Sequence, residues 1–499
     1  MLEIERLKLT KKEKFFLVIL VIIVFIINFS LVFNNNVWCD EAATINLTNL
    51  SFSDMFDSIV KDVHPPLYYF VLKIGTHFWG KSLAIYKLIS IIPVMLLIII
   101  GDIWIINNLN KNAFFSSMLF TMLVGLSPCS QGKNVEVRMY TWAALWVCLT
   151  AILCWEVNKE LNGTRGKLSL VCCALLAMYT HYFALLAVGI ILCVEFMYLF
   201  RKKNRLCIKI IPTYGLIILG YLPWLPYMFK QARENVGIWP IKIDMSPAYV
   251  IDLFRYPFEG DYSAFFSNEF TVLSWTIIAS VILVSIYKIC ECEKEEYKEI
   301  IYFGLALTFC FFGTVIIGTI LSYIFHPIIF RRYLFPSLSC MWLGIAVLFS
   351  GLEIKKRDIC FLVSFFTIMG ISAYNSSYNR EYVTGTNAFL SFAHDNIEQD
   401  AIIVNDFETC MCWELKYYFP QNQIYYWEDQ VLKSNDGVTL WTQEVDFDIY
   451  SVENDIWYFC KGGFELDFDL LTEKGYCVDV SYTGNIDNYY SFTLYHIRK

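Results

Sequence analysis

Between Phe15 and Phe33 the chain runs for 19 residues without a charge, long enough to cross the ~30 Å hydrocarbon core of a bilayer as one helix. Comparable apolar stretches recur as far as residue 374. A soluble globular enzyme cannot carry such runs, and the composition agrees. Hydrophobic residues make up 57% of the 499 and charged residues 17%, against ~25% charge in an ordinary soluble domain. With 41 Phe, 32 Tyr and 14 Trp the chain has ample apolar surface to offset ordering entropy, which excludes disorder. The first run ends in Asn34-Asn35-Asn36 instead of the small residues of a leader cleavage site, so it reads as a retained helix.

Short loops rich in Lys and Arg stay cytoplasmic. The basic N-terminus (Arg6, Lys8, Lys11, Lys12, Lys14), the Arg165/Lys167 loop, Arg201-Lys202-Lys203-Asn204-Arg205 and Lys355-Lys356-Arg357 are the markers. Placing them inside predicts eleven spans, near 15 to 33, 82 to 106, 113 to 128, 139 to 157, 168 to 181, 183 to 200, 208 to 228, 270 to 290, 299 to 322, 333 to 350 and 359 to 374. The expected architecture is a multi-pass cell-membrane protein with a cytoplasmic N-terminus. Pro65 to Gly80, with Lys73 and His77 inside it, reads as a juxtamembrane helix on the outer face. The spans hold almost no charge, which weighs against a coupled transporter, and polar residues collect in the outer loops.

Two units follow, a membrane unit over 1–374 and an extracytoplasmic unit over 375–499. The second holds 21 Asp/Glu against 7 Lys/Arg, a balance of −14, which leaves +6 on the membrane unit of a chain whose net charge is −8. That split suits no nucleic-acid binder. The tail reads as a small α/β domain, with helices at 387–397 and 409–419 and strands at 401–404, 423–426, 455–460, 477–482 and 490–496. Most of the 17 cysteines lie in apolar segments as packing residues, Cys292 among them. Cys410, Cys412, Cys460 and Cys477 lie in the tail, where an oxidising side would permit disulfides; their spacing is not a zinc pattern.

The outer loops carry the candidate chemistry. Asp40-Glu41 follows the first span directly, and adjacent acids raise each other's pKa unless cations stand nearby; taken alone, the pair also fits a solvated helix N-terminus. Asp62-Val63-His64-Pro65-Pro66-Leu67-Tyr68-Tyr69 follows in the same loop, where a lone His64 also fits an interfacial histidine. The next outer loop reads Ser130-Gln131-Gly132-Lys133-Asn134-Val135-Glu136-Val137-Arg138-Met139-Tyr140. Arg138 at a helix mouth suits bidentate phosphate binding, or snorkelling to the interface. Arg331-Arg332-Tyr333-Leu334-Phe335-Pro336 places two arginines outside, against the positive-inside tendency. A carboxylate base and several cations on one membrane face suit displacement at a sugar carbon with a lipid phosphate leaving.

These residues carry a family resemblance. Asp40-Glu41, His64-Pro65-Pro66-Leu67-Tyr68-Tyr69, Ser130-Gln131 leading to Glu136-Val137-Arg138-Met139-Tyr140, Thr180-His181-Tyr182, Leu222-Pro223-Trp224-Leu225-Pro226 and Arg332-Tyr333-Leu334-Phe335-Pro336 resemble bacterial family 39 glycosyltransferases over roughly residues 10 to 375. Those are GT-C membrane enzymes related to protein O-mannosyltransferases and the lipid A aminoarabinose transferase. The resemblance implies a GT-C fold and inverting transfer of a sugar from a polyprenyl-phosphate donor to a glycan, lipid or protein acceptor on the outer face. It implies Asp40 as base with Glu41 beside it, and Arg138, Arg332, Arg331 and His64 on the donor phosphate. Tyr68, Glu136, Tyr140, His181, Tyr182 and Tyr333 would line the substrates. Gly132 to Val135 interrupt the family's second-loop run. The resemblance requires no metal and leaves a divalent cation possible. Two other functions fit the same features: a GT-C polymerase or ligase acting on lipid-pyrophosphate oligosaccharide, and a flippase for lipid-linked sugar.

Overall fold

The computed structural model describes residues 9–159, 163–202, 207–234, 244–260, 267–291, 294–407, 409–428, 431–435, 437–438, 442–445, 449–461, 467–487 and 490–499. The topology markers Arg6, Lys8, Lys203 and Arg205, and Cys292, lie outside them.

The chain is a helical, multi-pass membrane protein with a small sheet at its C-terminal end. Its helices are α1 (Lys11–Phe29), α2 (Cys39–Asn49), α3 (Phe52–Lys61), α4 (Leu67–Trp79), α5 (Leu83–Asn108), α6 (Ala113–Leu126), α7 (Pro128–Val135), α8 (Tyr140–Lys159), α9 (Thr164–Met178), α10 (Tyr182–Lys202), α11 (Ile211–Tyr221), α12 (Leu225–Glu234), α13 (Pro247–Leu253), α14 (Tyr256–Glu259), α15 (Ser267–Glu291), α16 (Glu295–Ile324), α17 (Phe335–Ser350), α18 (Lys356–Tyr382), α19 (Thr386–Asn396), α20 (Thr409–Tyr418) and α21 (Phe468–Glu473). Among the described residues eight helices are long and apolar enough to cross a membrane, or nine if α6 and α7, bent by 60°, count as one. Two further expected spans fall on α1, whose first turn is charged, and on the 15-residue α9. Each of the eleven expected stretches is therefore helical.

Local chemistry explains the boundaries. Thr10 caps α1 reciprocally with Glu13: the Glu13 N–H donates to Thr10 Oγ1 at 3.2 Å and the Thr10 N–H to Glu13 Oε2 at 2.7 Å. Buried Asn28 donates to Val24 O at 2.8 Å and to Gly125 O at 3.2 Å, tying α1 to α6. Gly125 is needed there, because a Cβ would come within 2.2 Å of Val24. The 13-residue α4 is too short to span. The expected second outer loop is not extended: Ser127-Pro128 breaks the helix, since proline lacks the N–H and clashes with the preceding turn, and α7 turns 60° from α6 with nearly every side chain buried.

The seven strands are β1 (Ile402–Asn405), β2 (Gln423–Glu428), β3 (Val431–Asn435), β4 (Thr442–Glu444), β5 (Ile456–Cys460), β6 (Cys477–Ile486) and β7 (Tyr490–Arg498). They form one sheet in the order β4-β3-β2-β1-β5-β7-β6, with β1 parallel to β2 and β5 and the outer pairs antiparallel. Strands β3 and β4 and helix α21 go beyond the sequence expectation, being short and polar. The four tail cysteines named above are all free thiols, and Cys410, Cys412 and Cys460 are buried as packing residues while Cys477 is exposed.

One face of the sheet, with α19 and α20, shares a hydrophobic core with α2, α3 and α4, through residues such as Ala42, Ile45, Tyr69, Phe389, Ile403 and Met411. Asn46 on α2 donates to Trp413 O at 3.0 Å and Gly437 O at 2.8 Å. Val37 N donates to Tyr418 Oη at 3.1 Å, and Tyr418 Oη donates to Asn35 O at 2.9 Å. The sheet is thereby seated on the loop that holds Asp40 and Glu41.

Candidate active site

Helix α2 starts where the chain leaves α1. Trp38 is its N-cap, and Glu41 Oε2 accepts the Trp38 N–H at 3.3 Å. Carboxylates in a first turn are favoured by the helix dipole. Successive residues on a helix point ~100° apart, so Asp40 and Glu41 face different neighbours, and each meets its own cations.

Asp40 is 5% exposed. Its Oδ2 lies 3.3 Å from Arg332 Nη2 and 3.7 Å from Arg138 Nη2. Burial alone would raise its pKa, but Arg332 first, then Arg138, with Lys133 behind them, outweigh burial and hold the carboxyl below the usual carboxylate range. Arg332 comes from the short 3₁₀ turn Arg331–Leu334 that leads into α17. Its guanidinium stacks 5.1 Å from the Trp38 ring.

Glu41 turns inward. Its Oε1 accepts the Val137 N–H at 2.8 Å, and its Oε2 lies 3.8 Å from Arg380 Nη2. Burial pushes its pKa up against the pull of Lys87 and Arg380. Arg380 Nη1 donates to Glu381 Oε1 at 3.3 Å, and Lys87 Nζ donates to Glu381 Oε2 at 2.6 Å and Asn34 Oδ1 at 2.9 Å. A fully buried charge chain thus joins α5, the end of α18 and the start of α2. Glu41 holds the peptide next to Arg138, so its place in this geometry is positional.

Arg138 Nη1 donates to Thr44 Oγ1 at 2.9 Å and Asp40 O at 3.2 Å, and its Nη2 sits 3.4 Å from His64 Nε2. A guanidinium only donates, so His64 Nε2 accepts and Nδ1 carries the proton. That Nδ1 faces Asp62 Oδ2 at 3.4 Å. Burial lowers the His64 pKa against the pull of Asp62, which keeps the ring neutral.

Aromatic groups close the other side. The His181 ring lies 5.0 Å from Tyr333, 5.6 Å from His64 and 5.7 Å from Tyr140. His181 Nδ1 accepts the Phe183 N–H at 3.1 Å, which places the proton on Nε2. Among the described residues neither His181 Nε2 nor Tyr140 Oη, both buried, has a hydrogen-bond partner. Two orphaned buried donors beside two arginines form a receptor for anionic oxygen.

The structure therefore brings Asp40, His64, Arg138, Arg332, Tyr140, His181 and Tyr333 together. It takes others elsewhere. Arg331 points away, pairing with Asp252 at 3.3 Å and Glu259 at 3.1 Å. Tyr182 donates to Gln231 Oε1 and accepts from Trp224 Nε1 at 3.1 Å, while Gln231 Nε2 donates to Ile59 O at 2.6 Å, so Tyr182 braces α12 behind His64. Tyr68 packs against α5 with its hydroxyl 3.4 Å from Ser90 Oγ. Glu136 is paired with buried Lys133, whose Nζ lies 5.2 Å from the Tyr140 ring and 5.8 Å from that of Trp38.

Sequence reasoning missed Trp38, Lys87, Lys133, Arg380 and Glu381. Two signals were present: a lysine four residues into the apolar run of α5, and an Arg-Glu pair just past the last expected span. Among the described residues no three His, Cys, Asp or Glu side chains converge where a metal ion could sit. Two guanidinium groups face Asp40 Oδ2.

The fold is similar to that of a solved membrane-protein structure. ArnT from Cupriavidus metallidurans bound to undecaprenyl phosphate superposes with a TM-score of 0.64 at 9% identity, covering 96% of this chain and 98% of that one. The same protein in the apo state gives 0.63 at 10% identity, covering 97% and 98%. The archaeal oligosaccharyltransferase AglB from Archaeoglobus fulgidus gives 0.48 at 11% identity, covering 83% of this chain and 65% of that one. No family model and no curated protein matches the sequence. At these identities the likeness is one of fold, and function rests on the site.

Proposed function

We propose that this chain is an integral-membrane glycosyltransferase that moves a sugar from a polyprenyl-phosphate donor to an acceptor hydroxyl on the extracytoplasmic face, with inversion. The supporting observation is the Asp40 carboxylate, kept ionised by Arg332 and Arg138 next to the buried donors of Tyr140 and His181, which have no hydrogen-bond partner among the described residues. A cationic pocket with spare donors suits a lipid phosphate, and the structurally similar ArnT is described bound to undecaprenyl phosphate. The acceptor O–H attacks the anomeric carbon, its proton passes to Asp40, and the carbon–oxygen bond to phosphate breaks with the electron pair leaving on the phosphate. Arg332 and Arg138 meet the charge that develops on the departing oxygen. As the phosphate draws Arg332 from Asp40, the carboxylate loses its counter-charge and becomes a better base.

We infer the orientation from the positive-inside tendency: the basic loops and the N-terminus cytoplasmic, Asp40 and the sheet outside. Asp40→Asn keeps size and removes the base. Mass spectrometry of envelope glycans and lipid-linked intermediates should show the modification lost and the donor accumulated; unchanged transfer at equal protein level overturns the assignment.

A further inference from the structure

We infer that the C-terminal unit completes the catalytic cavity as the wall of an acceptor site, and that the site takes a neutral sugar ring; this rests on the transferase reading above. Residues on α2, α3 and the 62–64 loop line the cavity beside Asp40, and so do Trp413 of α20 and Val438 after β3. The wall is held in place. Asn46, two positions beyond Thr44 on α2, fastens the carbonyls of Trp413 and Gly437. Gly437 adopts φ +74°, a conformation that L side chains rarely take, and a Cβ there would meet Lys416 at 2.7 Å. That turn presents Val438 to the cavity.

Chemistry and position give the ligand class. The C-terminal unit contributes a tryptophan and a valine to the lining, while Ser58, Lys61 and Asp62 contribute polar groups with one charge of each sign. A pyranose has the same division, with an apolar C–H face that packs on an aromatic ring and hydroxyl edges that hydrogen-bond. Arg332, Tyr140 and His181 do not line this cavity, although Asp40 and Arg138 do. The cavity and the phosphate receptor share Asp40 and Arg138 and differ in the rest of their lining, as adjoining sites for nucleophile and leaving group would. The ring in the cavity is accordingly the acceptor's.

Saturation-transfer NMR on the full-length protein in lipid nanodiscs, with methyl β-glucopyranoside and methyl N-acetyl-β-glucosaminide as probes, tests this. Ring C–H protons should receive saturation in the wild type. The signal should fall about tenfold in Trp413→Ala, the equivalent of ~1.4 kcal/mol. It should fall likewise in Val438→Trp, which fills the cavity from a half-buried position and guards against a folding defect in the first variant. Arg332→Gln should leave it unchanged. Absence of saturation on both probes overturns the inference, as does equal signal in the wild type and both cavity variants. Signal lost in Arg332→Gln but kept in Val438→Trp also overturns it, because the ring would then be the donor's. An active Asp40→Asn sinks the transferase reading separately, whatever the NMR result.

Discussion

Arg332 Nη2 stands 3.3 Å from Asp40 Oδ2, across a sequence separation of nearly three hundred residues. The contact joins the entrance of α17 to the first turn of α2. It makes the charge state of the proposed base depend on a group that also faces the proposed leaving phosphate.

Replacing Arg332 should therefore do two things. Arg332→Gln should lower transfer about 10²–10³-fold, the usual loss for one preorganised electrostatic partner. It should also move the acid limb of the pH–rate profile upward. Asp40 is held below 3.8 in the wild type, so the base stays ionised as pH falls past that value. Without its largest opposing cation it protonates sooner. A profile with an unmoved acid limb would break the link.

The buried chain Lys87–Glu381–Arg380–Glu41 should behave as one unit. Both Lys87 and Glu381 are almost fully buried, so Lys87→Met leaves the Glu381 carboxylate with Arg380 alone and should cost up to about 3–5 kcal/mol. Lys87→Met combined with Glu381→Gln should recover most of that loss. Thermal unfolding midpoints of the purified single and double variants measure the coupling, and strict additivity would refute it.

His64 predicts a pH dependence. Its folded pKa lies below 6.5 because burial disfavours the charged ring. Below that pH the unfolded chain binds a proton that the folded chain does not, so stability falls as the medium is acidified. His64→Gln should flatten the thermal midpoint against pH in that window.

Glu414 has the opposite sign. It is fully buried on α20, and burial, with Asp487 beside it, raises its pKa well above the usual range. The folded chain keeps a proton that the unfolded chain releases above 4.5, so stability declines as pH rises through that interval. Glu414→Gln should raise the melting temperature at neutral pH and leave it little changed in acid. Equal shifts at both pH values would count against a buried, protonated acid.

The sequence alone determined what depends on the solvent each segment must meet. Runs such as 15–33 and 299–322 have no alternative to a helix, because lipid offers no partner for a backbone N–H or C=O, and the short apolar strands 401–404 and 455–460 could only be covered core. Motif spacing also marked Asp40, Arg138 and Arg332. It did not separate Arg331 from Arg332, since neighbours in a 3₁₀ turn point about 120° apart and only packing selects which one meets Asp40. Nor did it show that Gln231 and Trp224 hold the Tyr182 hydroxyl. Trp413 carried no local signature, and Lys87, Arg380 and Glu381 showed only as charges in or beside an apolar run, because their contacts with Glu41, with one another and with the cavity are made between distant segments. A charge buried on a helix becomes interpretable only when the structure shows the opposite charge that folding brings to it.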